Sequence, residues 1–158
     1  MSLMPLSSVG IWEMGIAPVA DFADTTQYTD IFNATNYKQT TFLIVKGVGT
    51  TGTSTITVEA CDDTSGSNVS AVAFRYRACT TLDTWGALTD ATSSGFTTTA
   101  GSNQLYEIVV DNDVLGASGY KYLRLKMVEV VNSPVLGGVL VHLGQPRYPQ
   151  ATQPSAIV

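Results

Sequence analysis

The sequence is poor in charge and in basic residues, and these shortages exclude several classes of protein. Charged residues make up 13% of the 158 residues. This is about half of the roughly 25% that is usual in soluble domains, which excludes charge-rich disorder and coiled coils. The chain has 8 Lys and Arg against 13 Asp and Glu, for a formal net charge of -5. Nucleic acid is therefore not an expected partner, because binding phosphates requires clustered basic side chains.

Long apolar runs and a basic N-terminal segment are also missing. The longest apolar runs, 42–45 and 135–141, are far shorter than the roughly 18 residues that a membrane-spanning helix needs. No Lys or Arg occurs before Lys38, so the charged start of a secretory signal is absent. We expect a soluble protein that is made in the cytoplasm and has no membrane partner.

Cysteine is scarce, since Cys61 and Cys79 allow one disulfide at most. If the segments that carry them form a hairpin centred near Gly66, Cys79 lies well beyond the position opposite Cys61, and direct pairing is awkward. Proteins made in the cytoplasm rarely carry structural disulfides. We expect both thiols to be free.

What the sequence does contain, from Gln39 onward, is a series of short runs typical of strands, separated by turn clusters. Their spacing of about 8–15 residues, with no helical stretch between them, predicts an all-β, antiparallel β-sandwich and excludes a parallel α/β sheet. Jelly-roll and immunoglobulin-like topologies both fit the periodicity, and we favour the jelly roll. The predicted strands are 41–46, 55–61, 71–79, 105–111, 120–130 and 135–143. Alternation places Tyr106, Ile108 and Val110 on one face of 105–111, Leu123, Leu125 and Met127 on one face of 120–130, and Glu59 on the face of 55–61 opposite to Ile56, Val58 and Ala60.

The two ends of the chain lack this periodicity and are predicted to be extended arms on a sandwich of residues 36–143. Residues 1–35 are too apolar for a freely solvated segment, so they either fold back over the domain or lie along a neighbouring subunit. Residues 144–158 include Pro146, Pro149 and Pro154, which favour an extended C-terminal tail.

No pattern of residues points to catalysis or to a metal site. His142 is the single histidine, so a multi-histidine site is excluded, and no G-x-S-x-G turn accompanies it. We expect an outward-facing side chain in the last predicted strand. The acidic clusters at 62–63 and 111–113 lack the spacing of a calcium loop. We expect no enzymatic activity, no metal and no cofactor.

Residues that could contact another protein are easier to nominate. Aromatic and Arg side chains are favoured at protein interfaces, and a proline-stiffened segment loses less entropy on docking. Arg75 and Arg77 are instead expected to pair across strands with Glu59. The protein-contact candidates are Leu6, Ile11, Trp12 and Met14 in the N-terminal segment, Tyr122, Arg124 and Lys126 on one strand face, and Arg147 with Tyr148 in the tail.

Five segments carry a resemblance to known proteins: NYKQTTFLIVKG (36–47), TITVEACDD (55–63), AFRYRAC (73–79), DTWGALTDATSSGFTTTAG (83–101) and YKYLRLKMVEVVNSPVLGGVLVHLGQPRY (120–148). They resemble segments of small virion proteins that tailed bacteriophages encode near their capsid genes. The resemblance implies a structural protein of the virion, in particular a capsid decoration (cement) protein on the head. Its implied partners are the major capsid protein and copies of itself in a homo-oligomer.

Two alternatives remain open. One is another virion component, associated with a tail or fibre. The other is a carbohydrate-binding β-sandwich, in which exposed aromatic rings form a platform for a sugar. The rings that would form this platform are Trp85, Tyr76, Tyr106, Tyr120 and Tyr122.

Overall fold

Almost all regular structure in this protein is β. The computed structural model describes residues 9–81, 83–116, 118–148 and 157. In chain order the elements are β1 (Gly10–Val19), β2 (Thr26–Tyr28), β3 (Phe32–Asn33), β4 (Tyr37–Lys46), β5 (Thr53–Cys61), β6 (Val69–Val72), β7 (Phe74–Cys79), β8 (Thr89–Ala91), β9 (Phe96–Thr97), β10 (Gln104–Asp111), α1 (Asp113–Gly116), β11 (Tyr122–Val131) and β12 (Gly137–Pro146).

The strands form two antiparallel sheets that enclose one core, which confirms the predicted β-sandwich. Sheet A has the order β1-β12-β4-β10-β7-β8. Sheet B has the order β2-β11-β5-β6, with β3 also paired to β11 and β9 paired to β5. Every strand pair in the described residues is antiparallel.

The strand pairing identifies the topology as a jelly roll, the one favoured from the sequence. β1 pairs with β12, β2 and β3 pair with β11, β4 pairs with β10, and β5 pairs with β6. These nested pairs form one long antiparallel hairpin that is rolled into two sheets. β7 and β8 extend sheet A beyond β10.

The core forms because side chains alternate along each strand between the interior and the surface. In β10 the inward residues are Tyr106, Ile108 and Val110, as the sequence predicts. The inward side chains of β11 are also those predicted. The largest fully buried side chains come from both sheets and are Tyr37, Tyr106, Phe32, Phe42, Ile44, Ile56, Ile108, Leu123, Leu125, Met127, Leu143 and Val58.

The N-terminal segment is not an arm where the structure describes it, which corrects the prediction for residues 1–35. β1 pairs with β12 over its whole length, from Gly10 opposite Gly144 to Val19 opposite Gly137. The ladder shifts register on either side of Ile16, and such bulges interrupt the alternation by which a strand is recognised in a sequence. Residues 1–8, including the candidate Leu6, lie outside the described residues.

The C-terminal boundary also differs from the prediction, because β12 continues through Pro146. Beyond it, the Arg147 amide donates to the Asn36 carbonyl at 2.7 Å. Ile157 forms an isolated antiparallel bridge with Phe32 of sheet B. The remainder of the predicted tail, residues 149–156 and 158, lies outside the described residues. Within the described chain the sandwich therefore spans residues 10–146.

The predicted strand 71–79 is two strands in different sheets. Val72 of β6 pairs with Val58 in sheet B, whereas Phe74 of β7 pairs with Ala91 in sheet A. The chain crosses between the sheets at Ala73. Both sheets face the same core, so the inward side chains keep their alternation through the crossing and the sequence pattern shows no break.

The two cysteines are both buried and both free, as expected from the sequence. Cys61 ends β5 in sheet B, and Cys79 ends β7 in sheet A. Burial raises the pKa of the Cys61 thiol, which disfavours the reactive thiolate form.

Candidate functional site

Two groups of side chains that include exposed apolar or aromatic members lie on the outer faces of the two sheets. We call the first surface the apolar face, formed on sheet A by Trp12, Met14, Leu43, Val45, Leu136 and Leu140. We call the second the Tyr28 cluster, formed on sheet B by Tyr28, Glu59, Arg124 and Lys126.

The apolar face exists because neighbouring strands turn apolar side chains outward as well as inward. Met14 of β1 lies opposite Leu140 of β12, and Leu140 lies opposite Leu43 of β4. Large side chains here remain open to solvent, with Trp12 43%, Met14 47%, Val45 39% and Leu136 45% exposed.

A shallow groove of about 280 Å³ runs along the apolar face. Pro18 and Val45 line it, and Gly138 lies opposite Val45 and next to Pro18. A side chain at position 138 would collide with the backbone of β1 at Ile16 and Pro18. Glycine is thus required at position 138, where β1 passes close to β12. No charged residue lines the groove.

The other half of the outer face of sheet A is charged, but its charges neutralise one another. Arg77 pairs with Glu107, and Arg75 pairs with Asp90 at 2.9 Å. This corrects the predicted pairing of both arginines with Glu59, which belongs to sheet B. Arg75 and Arg77 are in β7, whose neighbours are β10 and β8.

The Tyr28 cluster is built by the register of three neighbouring strands. Arg124 lies opposite Glu59 of β5, and Lys126 lies opposite Tyr28 of β2. Arg124 Nη2 is 2.7 Å from Glu59 Oε2, and Lys126 Nζ is 3.4 Å from Glu59 Oε1. The Arg124 guanidinium also lies over the Tyr28 ring, 4.2 Å from its centroid.

The contact candidates predicted on β11 are consequently less available to a partner protein than the sequence indicated. Only 13% of the Arg124 side chain and 31% of the Lys126 side chain are exposed, because Glu59 and Tyr28 engage them. Tyr122 is half-buried on the same outer face. The exposed member of the cluster is Tyr28, at 42%.

Among the N-terminal contact candidates, the structure separates Ile11 from its neighbours. Ile11 lies opposite the buried Leu143 and packs against the core, so it is not a surface contact. Trp12 and Met14 point to the outer face and are exposed. Alternation along β1 places these adjacent residues on different sides.

Of the two C-terminal contact candidates, Arg147 contacts its own domain, whereas Tyr148 is exposed. Arg147 pairs with Asp113, and its Nε donates to the Thr35 carbonyl at 3.1 Å. The arginine therefore ties the chain end to its own domain. Tyr148 is 73% exposed and is the residue of this pair that a partner could reach.

The aromatic residues considered for a sugar platform do not lie on one surface. Tyr106 is buried, and Tyr76 stacks on Phe96 with ring centroids 3.9 Å apart. Tyr122 belongs to the outer face of sheet B. Trp85 is 37% exposed, and Arg77 lies over one face of its ring at 4.7 Å.

Lys46 is a buried cation that the sequence did not single out. Its Nζ donates to the Gly52 carbonyl at 2.9 Å and to the Thr99 carbonyl at 2.6 Å. Burial lowers its pKa. Both of its partners are backbone carbonyls of loops, so this lysine joins the loop after β4 to the segment after β9.

A wider open groove of about 630 Å³ lies where β4, β7, β8 and β10 end beside α1. Charged side chains line it, but Arg75 pairs with Asp90 and Asp113 pairs with Arg147. Across the described residues, no group of three or more His, Cys, Asp or Glu is arranged to hold a metal ion. Nor does any helix in that part of the chain have the length and apolarity to cross a membrane.

Comparisons with known proteins identify no family. No known protein family matches the chain, and no curated protein matches it. Among solved structures, the chain is similar to the SPBc2 prophage-derived protein YomS, with 15% sequence identity and a TM-score of 0.42. The match covers 84% of this chain and 92% of that chain.

His142 borders the apolar face in an unusual setting. Its ring lies against Trp12, with centroids 4.7 Å apart and planes tilted by 33°. Its Nε2 is buried without a hydrogen-bond partner among the described residues. A side chain at position 10 would collide with that nitrogen, so Gly10 is what permits this close packing. His142 is therefore more enclosed than the outward-facing histidine that the strand pattern predicts.

Acidification is expected to destabilise the protein through His142. Burial lowers the pKa of His142 below its ordinary value of 6.5. The unfolded chain therefore takes up this proton first, and the free energy of unfolding falls as the pH drops below about 6.5 until the folded-state pKa is passed. Urea unfolding between about pH 7.5 and about pH 5 measures the effect.

The matched variant for this prediction is His142→Phe, which keeps an aromatic ring against Trp12 and removes the titration. Its unfolding free energy should vary less over the same pH range. Asp63 and Asp113 have pKa values lowered from 3.8 by their hydrogen bonds, so they titrate below this range. An equal pH dependence in wild type and variant would contradict the assignment to His142.

Some surface residues were missed by sequence reasoning although a signal was present. The continuous apolar runs of β4 and β12 indicate strands with apolar side chains on both faces, which is how Val45 and Leu140 come to face outward. Tyr28 lies in a three-residue strand, and no signal marks it. Glu59 was placed on the outer face, but its partner depends on register.

Proposed function

We propose that this chain is a non-enzymatic structural protein of a tailed-phage virion, and specifically a decoration protein that binds the major capsid protein on the head. The observation that carries the proposal is the group of exposed apolar side chains on the outer face of sheet A, with Tyr28 exposed on sheet B. Small-molecule sites are concave pockets with converging polar groups, whereas flat apolar and aromatic surfaces fit other proteins.

The rigidity of the scaffold supports the same function. A jelly roll closed around one apolar core presents its outer faces in a constant geometry, so a partner that docks on them does not have to order them first. Apolar contact contributes roughly 25 cal/mol for each Å² removed from water. A decoration protein needs this kind of binding because it stabilises a shell through contacts alone.

The resemblance of residues 36–148 to phage virion proteins supports the proposed partner and location. Within that range lie β4, β11 and β12, which contribute residues to both surfaces. The virion is thus the proposed location, after synthesis in the host cytoplasm. Neither nucleic acid nor a membrane is a proposed partner.

Rebinding to phage heads that lack the protein tests this function. Purified wild-type protein should bind such heads at near-stoichiometric occupancy and raise the temperature at which they release their genome. Heads that already carry the native protein are the matched control and should take up none. Binding to purified tails instead of heads would replace the capsid assignment with a tail-associated one.

A glycan array distinguishes the remaining alternative. The packing of Arg77 over Trp85 leaves less of that ring for a sugar, so wild type and Trp85→Ala should give the same background signal. Specific sugar binding that is lost in Trp85→Ala would overturn the structural assignment.

A further inference from the structure

We propose that His142 and Trp12 form a pH-sensitive switch in the apolar face, so that protonation of His142 displaces Trp12 and releases the capsid partner. The identity of that partner rests on the proposed function, in which the apolar face binds the head. The switch is distinct from the acid-induced loss of global stability, because the displacement is local and the sandwich stays folded.

The His142 ring lies in a slot that glycines leave open. A Cβ added at Gly10 would be 2.5 Å from the ring nitrogen Nε2, and one added at Gly144 would be 3.0 Å from Cε1. These two glycines lie opposite each other in the pairing of β1 with β12, so the ring packs directly on their backbones. Trp12, which lies opposite His142, places its own ring against the histidine, with centroids 4.7 Å apart.

A protonated ring does not fit this slot. An imidazolium carries an N–H group on each of its two nitrogens, whereas Nε2 of His142 is buried without a hydrogen-bond partner among the described residues. Burying a charged donor without an acceptor is costly. The proton is therefore taken up in an open conformation, in which Nε2 reaches water and the ring contact with Trp12 is broken.

The strands that form the slot bring no charge that would offset this cost. β12 has no other ionisable residue, and that of β1 is Glu13. Alternation places Glu13 on the side of β1 opposite to Trp12. There its carboxylate adds to the effect of burial in raising the pKa of Tyr37. Burial is what lowers the pKa of His142.

The charges of the next strands in sheet A are engaged elsewhere. The β4 residue opposite the histidine is Thr41, which is uncharged. Lys46, at the other end of β4, donates to two loop carbonyls, and Lys38 lines the groove beside α1. On β10, Glu107 pairs with Arg77. The apolar face therefore offers an imidazolium no paired position.

Opening of the switch changes the surface that the head would meet. Trp12 is an exposed member of the apolar face, at 43%, and tryptophan is among the residues that carry most of the binding energy at protein interfaces. Because opening takes up one proton, the apparent affinity for heads should fall about tenfold for each pH unit below the midpoint of opening.

The switch is tested without heads in two variants that each keep one tryptophan. Trp85→Phe leaves Trp12 as the fluorescent reporter, and Trp12→Phe, the matched control, leaves Trp85. The pH is lowered from about 7.5 until the histidine is fully protonated. Nuclear magnetic resonance follows that protonation without ambiguity, because His142 is the single histidine.

Acrylamide quenching of Trp12 should increase with the same midpoint as the His142 titration, while quenching of Trp85 stays constant. A Trp12 that keeps its accessibility while His142 titrates would overturn the proposal. Equal increases at Trp12 and Trp85 would also overturn it, because they would show unfolding of the whole domain.

Head binding tests the consequence for the partner. Wild type, His142→Phe and His142→Gln are bound to heads that lack the protein over the same pH range. Wild type should lose affinity as His142 titrates, whereas the two variants, which cannot titrate at this position, should keep theirs. An equal loss in all three would refute the switch. No binding of wild type at about pH 7.5 would instead overturn the proposed function, and the tryptophan titration would still decide the switch.

Discussion

Gly95→Ala is expected to lower the free energy of unfolding by more than about 3 kcal/mol, because it combines a strained backbone with a backbone collision. Gly95 has a φ of +75°, in the left-handed region that residues with a Cβ rarely adopt. An added Cβ would collide with the Ile56 carbonyl oxygen and lie 2.8 Å from Thr57 Cγ2. A backbone oxygen in a paired strand cannot move aside as a flexible side chain can.

The collision would act on β9, the two-residue strand that follows the turn. β9 pairs with β5 through Thr97 opposite Thr55 and Phe96 opposite Ile56. If β9 moved away, Phe96 would lose its stacking on Tyr76, where the ring centroids are 3.9 Å apart. We therefore expect the loss of both the pairing and part of the aromatic packing.

Gly119→Ala is the matched control for this substitution. Gly119 has nearly the same backbone conformation, with a φ of +76°, but no atom lies within 4 Å of the Cβ that would be added. Its cost should be limited to the strain of about 1 kcal/mol. Urea unfolding of both variants measures the difference. Equal losses in the two variants would show that the collision at Gly95 relaxes without cost.

Glu59→Ala is expected to lower the free energy of unfolding by about 3 kcal/mol, near the lower end of what breaking a buried ion pair costs. The Glu59 side chain is 8% exposed and accepts contacts from both Arg124 and Lys126. Its removal leaves the Arg124 guanidinium, 13% exposed, without its carboxylate. The partial exposure of Lys126 keeps the expected loss from being larger.

The same experiment on an exposed pair provides the contrast. Asp90 pairs with Arg75 at 2.9 Å, but 57% of the arginine side chain and 87% of the aspartate side chain are exposed. Asp90→Asn should therefore cost less than about 0.5 kcal/mol. Thermal and urea unfolding of both variants measure the comparison. If Glu59→Ala cost as little as Asp90→Asn, the cluster would contribute no stability.

The Tyr28 cluster links this stability to the surface that sheet B presents. Arg124 lies over the Tyr28 ring and Lys126 lies 5.9 Å from its centroid, so the cations that Glu59 holds in place also hold the exposed ring. Glu59→Ala should for that reason loosen Tyr28 as well as destabilise the fold. Limited proteolysis of the segment around β2 would report the loosening.

The features of the fold that could be predicted are those that depend on neighbouring residues in the sequence. Alternation along β10 and β11 identified the inward residues Tyr106, Ile108 and Leu125, because the alternation belongs to the strand itself. The crossing at Ala73 could not be predicted, since a strand that passes from one sheet to the other keeps the same inward side. β1 was missed because its bulges break the pattern.

For the contact candidates on β1, the sequence likewise predicted the residue type but not the side of the sheet. Trp12 and Met14 were nominated from the sequence and are exposed. Ile11, which precedes Trp12 in the chain, was nominated for the same reason and is turned inward. The sequence shows that a residue is apolar, but its side of the sheet depends on a pairing partner more than a hundred residues away.

By itself, the sequence determined that this protein is an all-β sandwich, low in charge, with identifiable inward faces on its central strands. Those properties follow from side-chain chemistry and from a two-residue period. Only the tertiary structure decided that Glu59 meets Arg124, that Arg77 meets Glu107, and that the outer side chains of β4 and β12 form one uncovered apolar face. The reason is that register and sheet order arise from contacts between segments far apart in the chain, which no local pattern encodes.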